Sequence, residues 1–350
     1  MAFDTLKLEK GMYAEGGKSF TQVLEQLDPS ENYRGTSMEH MDAFQRQLKR
    51  FDIKVKGPGS DPVEKFFATW ESAVLFPEYV NRMVRQGMSG ADQLKDIVAT
   101  VTKIESMDYR SMYSAPSTDE KKLAEVGEGS SIPETTIRLQ EQLVHLKKRG
   151  RILSASYEAI RFQKLDLFSV MLRQIGENVA QQQLEDAVNF LCNQVPDSYP
   201  QEFLSQIYMS GDDVVGGTAG VLDYGVLLNF WAQFHPYTMN TMIAPTDMIV
   251  KTMMLEEVKN PLMGFSFQKD GAMVSPLGAK FVRCDGLPAG VLIGLDNRYA
   301  LEKVQVGDDV NIEYDKLIDR QLERAAITSI CGFSRIQPEA SKILACITDA

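Results

Sequence analysis

One segment limits the choice of folds more than any other. Across residues 164–191 the apolar residues Leu165, Phe168, Leu172, Ile175 and Val179 recur at steps of three and four. After one irregular step, Leu184, Val188 and Leu191 continue the stripe. This spacing predicts a single amphipathic helix. At about 1.5 Å per residue it would run roughly 40 Å, well beyond the ordinary globular helix, so the remaining elements must be arranged along a spine. Leu172 and Ile175 lie mid-stripe and are expected to be buried.

The segment before the spine has the opposite character. Residues 95–115 are rich in β-branched and aromatic side chains, and the alternation of Ile97, Ala99 and Val101 predicts a strand, although Ile97, Val101 and Ile104 also fit a helical step. Residues 116–131, with Gly127 and Gly129 among Ser, Asp, Glu and Lys, read as an exposed loop tip. The pattern is extended again from Pro133 through Ile137, Leu139, Leu143 and His145. A charged turn or exposed edge follows at 147–151, and a strand resumes over 152–160. Together 95–160 reads as a long, polar, hairpin-like excursion, stretching beyond any core it could make alone.

Residues 1–90 mix Gly, Pro, Ser and charge with short helical patterns. In 41–51 (MDAFQRQLKRF), Phe44, Leu48 and Phe51 are spaced for an amphipathic helix. Residues 54–60 read as a linker, and Asp61-Pro62 as the start of another helix. Little core material is visible in this region, which reads as an arm lying along something else. Beyond the spine, 223–234 predicts an apolar helix with Asp223 as N-cap, and 242–244 a strand ending at Pro245. Thr246-Asp247 is expected to cap a helix reaching about Glu257. Strands are expected at 280–283, 291–294, 310–314, 325–336 and 341–347.

Chemistry-bearing patterns are missing. There is no phosphate-loop motif, and Gly216-Gly217-Thr218-Ala219-Gly220 lacks dinucleotide spacing and reads as a turn. His40, His145 and His235 stand in no metal-binding pattern, and no nucleophile-elbow serine occurs. Asp212-Asp213 and Asp308-Asp309 read as solvated turn carboxylates. Cys192, Cys284, Cys331 and Cys346 have no paired spacing and are expected to be reduced and largely buried, as in an intracellular protein. No cofactor, metal or catalytic residue is assigned, and an enzyme is not expected.

With 350 residues, 44% hydrophobic and 24% charged, the chain has material for about two domains. There is no apolar run of about 18 residues, the length a membrane-spanning helix needs, and the first residues show no signal-peptide pattern. The net charge of −11 excludes a protein that coats nucleic acid with its whole surface. Against that background two segments are basic. Between 145 and 173, Lys147, Lys148, Arg149, Arg151, Arg161, Lys164 and Arg173 face only Glu158 and Asp166, a net of +5. Between 43 and 58, Arg46, Lys49, Arg50, Lys54 and Lys56 face only Asp52, a net of +4. These twelve are the candidates for contact with acidic surfaces of neighbouring subunits or with DNA; the alternative is an ordinary solvated face.

The order of arm, extended excursion, spine helix, mixed α/β region and returning strands resembles the major capsid proteins of tailed bacteriophages and prophages, of Hong Kong 97 type. The wording of residues 63–84 (VEKFFATWESAVLFPEYVNRMV), 147–176 (KKRGRILSASYEAIRFQKLDLFSVMLRQIG) and 295–336 (LDNRYALEKVQVGDDVNIEYDKLIDRQLERAAITSICGFSRI) carries the likeness. The resemblance implies an α+β fold with an N-terminal arm at 1–90 and an extended loop at 91–150. It also implies a peripheral domain at 151–196 and 325–350, and an axial domain at 197–324. It implies a structural protein that self-assembles through hexamers and pentamers into an icosahedral shell around double-stranded phage DNA. The expected partners are scaffold, portal, decoration or head-completion proteins, with assembly in the host bacterial cytoplasm and no membrane. An encapsulin-like nanocompartment shares the fold and is the alternative. Some members crosslink through Lys and Asn with a catalytic Glu, and some lose a long N-terminal segment to a protease. No motif for the first is matched here, and this N-terminal region is short for the second, with no legible cleavage site.

Overall fold

The computed structural model describes residues 2–13, 18–113, 125–129, 132, 138–140, 143–156, 158, 162–195, 201, 204–259, 277–317 and 322–347. The expectations at Arg161, at Ile137 and Ile160, and over most of the loop tip at 116–131 lie outside these residues. Helices α1 (Phe20–Leu27), α2 (Ala43–Arg50) and α3 (Leu75–Ala91) come first. They are followed by strands β1 (Val98–Ile104) and β2 (Lys147–Ser156) and the long helix α4 (Leu165–Leu191). Next come β3 (Gln206–Met209), α5 (Tyr224–Ala232), β4 (Thr241–Ala244), α6 (Thr246–Met254) and β5 (Lys280–Arg283). The chain closes with β6 (Val291–Leu295), β7 (Leu301–Val306), β8 (Asn311–Leu317), β9 (Leu322–Arg335) and β10 (Ser341–Ala345). Contacts divide the chain into two compact units. One comprises Met1–Asp92, Arg149–Ala180 and Val310–Ser329; the other comprises Gln93–Lys148, Gln181–Asp309 and Ile330–Ala350.

The first unit is built from short helices that pool their apolar faces. Capping boxes start two of them: Ser19 with Gln22 at α1, and Asp42 with Gln45 at α2. At eight residues each, α1 and α2 are too short to be stable alone. Phe20, Leu24, Phe44, Leu48, Phe66, Leu75 and Phe76 nevertheless form one buried cluster with Leu165, Phe168 and Leu172 of α4. The expected lack of core in residues 1–90 is therefore corrected. The three buried apolar residues of each of α1 and α2 look sparse along the chain, but in space they converge with those of α3. Tyr79 joins α3 to the start of α4 by donating its hydroxyl to the Leu165 carbonyl at 2.9 Å. β8 and β9 pair antiparallel from Asn311↔Thr328 to Leu317↔Leu322, and β2 pairs with β9.

Leu172 is fully buried, as its place on the stripe predicts, whereas Ile175 is only half-buried. Burial of such a side chain contributes about 1.5–3 kcal/mol. Leu172→Asp should lose this and add the cost of a carboxylate among hydrocarbon, several kcal/mol in all. The expected outcome is insoluble or unassembled protein on fractionation of the lysate. Soluble L172D with normal assembly would show that this face of α4 is not the buried one.

In the second unit a five-stranded sheet runs β3-β10-β6-β4-β5. Its central strands β6 and β10 are buried at every residue, which explains the nearly unbroken apolar run VLIGL. Leu184, Ala187, Val188 and Leu191 of α4 pack in one cluster with Ile243, Ile293, Leu295 and Ile343 of that sheet. The end of α4 is closed from a distance. A fully buried Arg335 donates to the carbonyls of Phe190 at 2.7 Å and Leu191 at 3.1 Å, where a cation also suits the helix dipole. Asn193, with φ of 63°, turns the chain away. α5 has the expected N-cap, with Asp223 accepting from the Val226 amide at 2.7 Å. α6 does not: the capping carboxylate is that of Asp285, which accepts both the amide and the hydroxyl of Thr246.

The excursion is only partly a hairpin. Met112–Tyr113 pairs antiparallel with Arg138–Leu139, but β1 at its base pairs in parallel with β7. The outgoing and returning base strands thus join different neighbours. A period-2 pattern cannot say which strand a given strand will choose. The base is pinned by Glu302, a buried carboxylate on β7 that accepts the hydroxyls of Thr102 at 2.5 Å, Tyr109 at 2.9 Å and Ser111. β2 begins at Lys147, so the basic run 147–151 is an exposed edge and not a turn. β3 and β7 were not expected from the sequence.

Candidate interaction surface

The two basic segments differ in how much charge they leave on the surface. In the first, Arg46 is fully buried. Its Nε donates to Asp28 Oδ2 at 2.7 Å, and its other nitrogens donate to the carbonyls of Asp28 and Met41, both at 2.6 Å, and to Ser30 Oγ at 3.0 Å. The guanidinium lies 4.3 Å from the Tyr33 ring centroid, and Tyr33 donates its hydroxyl to Asp28 Oδ1. Arg46 is thus corrected from a surface cation to the centre of a buried network. Its neighbour Arg50 is half-buried, donating to the Leu6 carbonyl and pairing with Glu71 at 3.1 Å. Lys49, Lys54 and Lys56 are exposed.

In the second segment Lys147, Lys148, Arg149 and Arg151 are exposed along β2. Successive strand residues point to opposite faces, so this charge is spread over both sides of the strand. Lys147 pairs with Asp186 at 3.3 Å. Cations along an edge also deter unwanted strand pairing. Lys164 is exposed at the start of α4 and donates to the Pro58 carbonyl at 3.3 Å; Arg173 is half-buried and donates to Ser169. The first unit thus brings the loop carrying Lys54 and Lys56 beside Lys164, a neighbourhood that no spacing in the sequence announces.

The apolar surface is as informative as the charge. On α4, Leu167, Val170 and Met171 form an i, i+3, i+4 stripe that is half exposed. In the second unit Leu228 and Trp231 on α5, and Val250 and Met254 on α6, repeat the pattern, with Met254 72% exposed. Where such residues join into a large contiguous patch, they mark a contact surface.

No protein-family model matches the chain, and no curated protein matches it. Among solved structures the chain is similar to the capsid of a native GTA particle, at 11% identity and a TM-score of 0.51, over 71% of this chain and 88% of that one. The chain has the Hong Kong 97-type capsid fold. At such identity the likeness is one of fold alone. A virus-like particle from Pyrococcus furiosus, at 11% identity and a TM-score of 0.47, covers 76% of this chain and 98% of that one. The satellite phage P4 procapsid including its size determination protein, at 10% identity and the same TM-score, covers 77% and 99%. The α+β, Hong Kong 97-type class expected from the sequence is the observed one.

None of Cys192, Cys284, Cys331 and Cys346 of this Hong Kong 97-type chain is held in a disulfide. Burial pushes the Cys192 thiol up to about 11, with nearby Cys284 adding to it, and burial likewise raises Cys284 and Cys346. Thiolate, the reactive form, is therefore scarce at neutral pH. A disulfide-exchange reagent should react slowly with the folded protein and should count four thiols in denaturant. Rapid labelling before unfolding, or fewer than four thiols in fresh protein, would contradict this burial.

Proposed function

We propose that this chain is a major capsid protein, a structural and non-catalytic subunit. Many copies assemble through hexamers and pentamers into an icosahedral shell around the double-stranded DNA of a tailed phage or prophage. The observation that carries the reading is the set of apolar stripes left exposed on a capsid fold, at Leu167, Val170 and Met171 of α4 and at Trp231 and Met254 of the second unit. Contact with other copies would remove these from water, at roughly 25 cal/mol per Å² of apolar area. The exposed strand β2 supports the same reading, since it orders ten residues with little burial of its own. Scaffold, portal and decoration proteins are the further partners of such a shell, and the bacterial cytoplasm is where it would assemble.

Purified particles should be treated with nuclease and then opened. Protected double-stranded DNA of uniform length is the expected content. Particles holding an enzyme and no DNA would overturn the genome-enclosing part of the reading in favour of a nanocompartment.

A further inference from the structure

At the start of α4 the chain forms an open cleft of about 320 Å³, lined among others by Gly57, Pro58, Ser60, Lys164, Asp166 and Leu167. The cleft is built by pairing. The Val63 amide donates to the Gln163 carbonyl, the Leu165 amide to the Asp61 carbonyl, and Pro62 bridges Lys164. The Gly57–Ser60 turn is thereby held against the first turn of the helix, and φ of 85° at Gly57 is what lets the turn close.

Two independent features of the cleft ask for the same kind of ligand. The first turn of a long helix leaves amide N–H groups without intrahelical partners and concentrates positive potential there; Asp166 and Leu167 supply that turn. Ser60, only 6% exposed, lines the cleft with its Oγ lacking any hydrogen-bond partner, although a buried hydroxyl is normally paired. The Lys164 ammonium is at the rim, where its present acceptor is the Pro58 carbonyl, and Lys54 and Lys56 stand exposed on the same loop. One group opposes an anion: the Asp166 carboxylate, which accepts from the Gly57 amide at 3.4 Å. The neighbouring Asp61 carboxylate is already engaged by the Lys54 amide and by Lys65.

We propose that this cleft binds a phosphate oxyanion, held by the Ser60 hydroxyl, the Lys164 ammonium and the first-turn amides of α4. The opposing Asp166 carboxylate weakens the affinity by like-charge repulsion. The chemistry is the same for free phosphate and for a nucleic-acid backbone. The inference does not rest on the shell reading, because binding is measured on the unassembled chain.

Calorimetric titration of the full-length chain with inorganic phosphate at low salt should show one saturable site. Ser60→Ala, which removes a hydroxyl that stabilises nothing else, should weaken it roughly tenfold. Asp166→Asn should strengthen it severalfold by removing the like charge. Circular dichroism confirms that both variants are folded. Competition by a short DNA duplex would assign the site to the nucleic-acid backbone; its absence would assign it to free phosphate. Absence of saturable binding, or binding indifferent to both substitutions, would overturn the proposal.

Discussion

Replacing Gly87 by alanine should force α3 and α4 apart. A methyl group built on Gly87 would lie 2.0 Å from the Arg173 carbonyl oxygen, and one on Gly176 would lie 2.0 Å from that of Val84. Both obstacles are backbone atoms, so no side chain can swing away. The helices must separate, and the contacts of Val84 and Leu172 in the shared core loosen together. Ordinary overpacking costs about 1–3 kcal/mol, and separating two helices should reach or pass the upper end of that range. Against a total stability of about 5–15 kcal/mol this is a large fraction. Chemical denaturation of soluble protein should show it for G87A and for G176A. The double variant should cost less than the sum, because the first substitution already opens the gap. Wild-type stability of either single variant would show that the helices do not meet at these glycines.

Arg46→Ala should be comparably damaging, for an electrostatic reason. Asp28 is as fully buried as Arg46, and the two carry the network that also holds Tyr33 and Ser30. Removing the cation strands a carboxylate and two carbonyl acceptors away from water, at about 3–5 kcal/mol. Arg46→Lys should recover little, since an ammonium cannot reach the carboxylate and both carbonyls in the geometry of the guanidinium fork. A denaturation midpoint for R46A close to that of the native chain would mean that Asp28 finds water or another partner.

These two sites also mark how far the sequence could be read. The spine was legible because its stripe of Leu165, Phe168 and Leu172 repeats the helical period over many turns. Gly87 and Gly176 were not, because a close helix approach is encoded by an absent side chain and needs a partner on another helix. Arg46 read as one cation among several in a basic stretch, and periodicity does not distinguish a buried charge from a solvated one. The core of the first unit was missed for a related reason: no short helix there has enough apolar residues to announce a core, and only their convergence makes one. A signal was nevertheless available. Ser19 with Gln22 and Asp42 with Gln45 are capping-box pairs, which mark deliberate helix starts. At the candidate surface the exposed lysines of 54–56 and the cations of β2 were legible as charge. The cleft with Ser60 was not, since residues 57–60 and 164–167 are joined only by tertiary pairing.

The central claim is assembly. Sedimentation velocity of the concentrated chain, alone and co-expressed with the scaffold protein proposed for it, tests it most directly, with negative-stain images of the fast fraction. The account predicts closed particles of uniform size, far above the 39.2 kDa of one chain. A sharp monomer or dimer at every concentration, with the scaffold present, would contradict it.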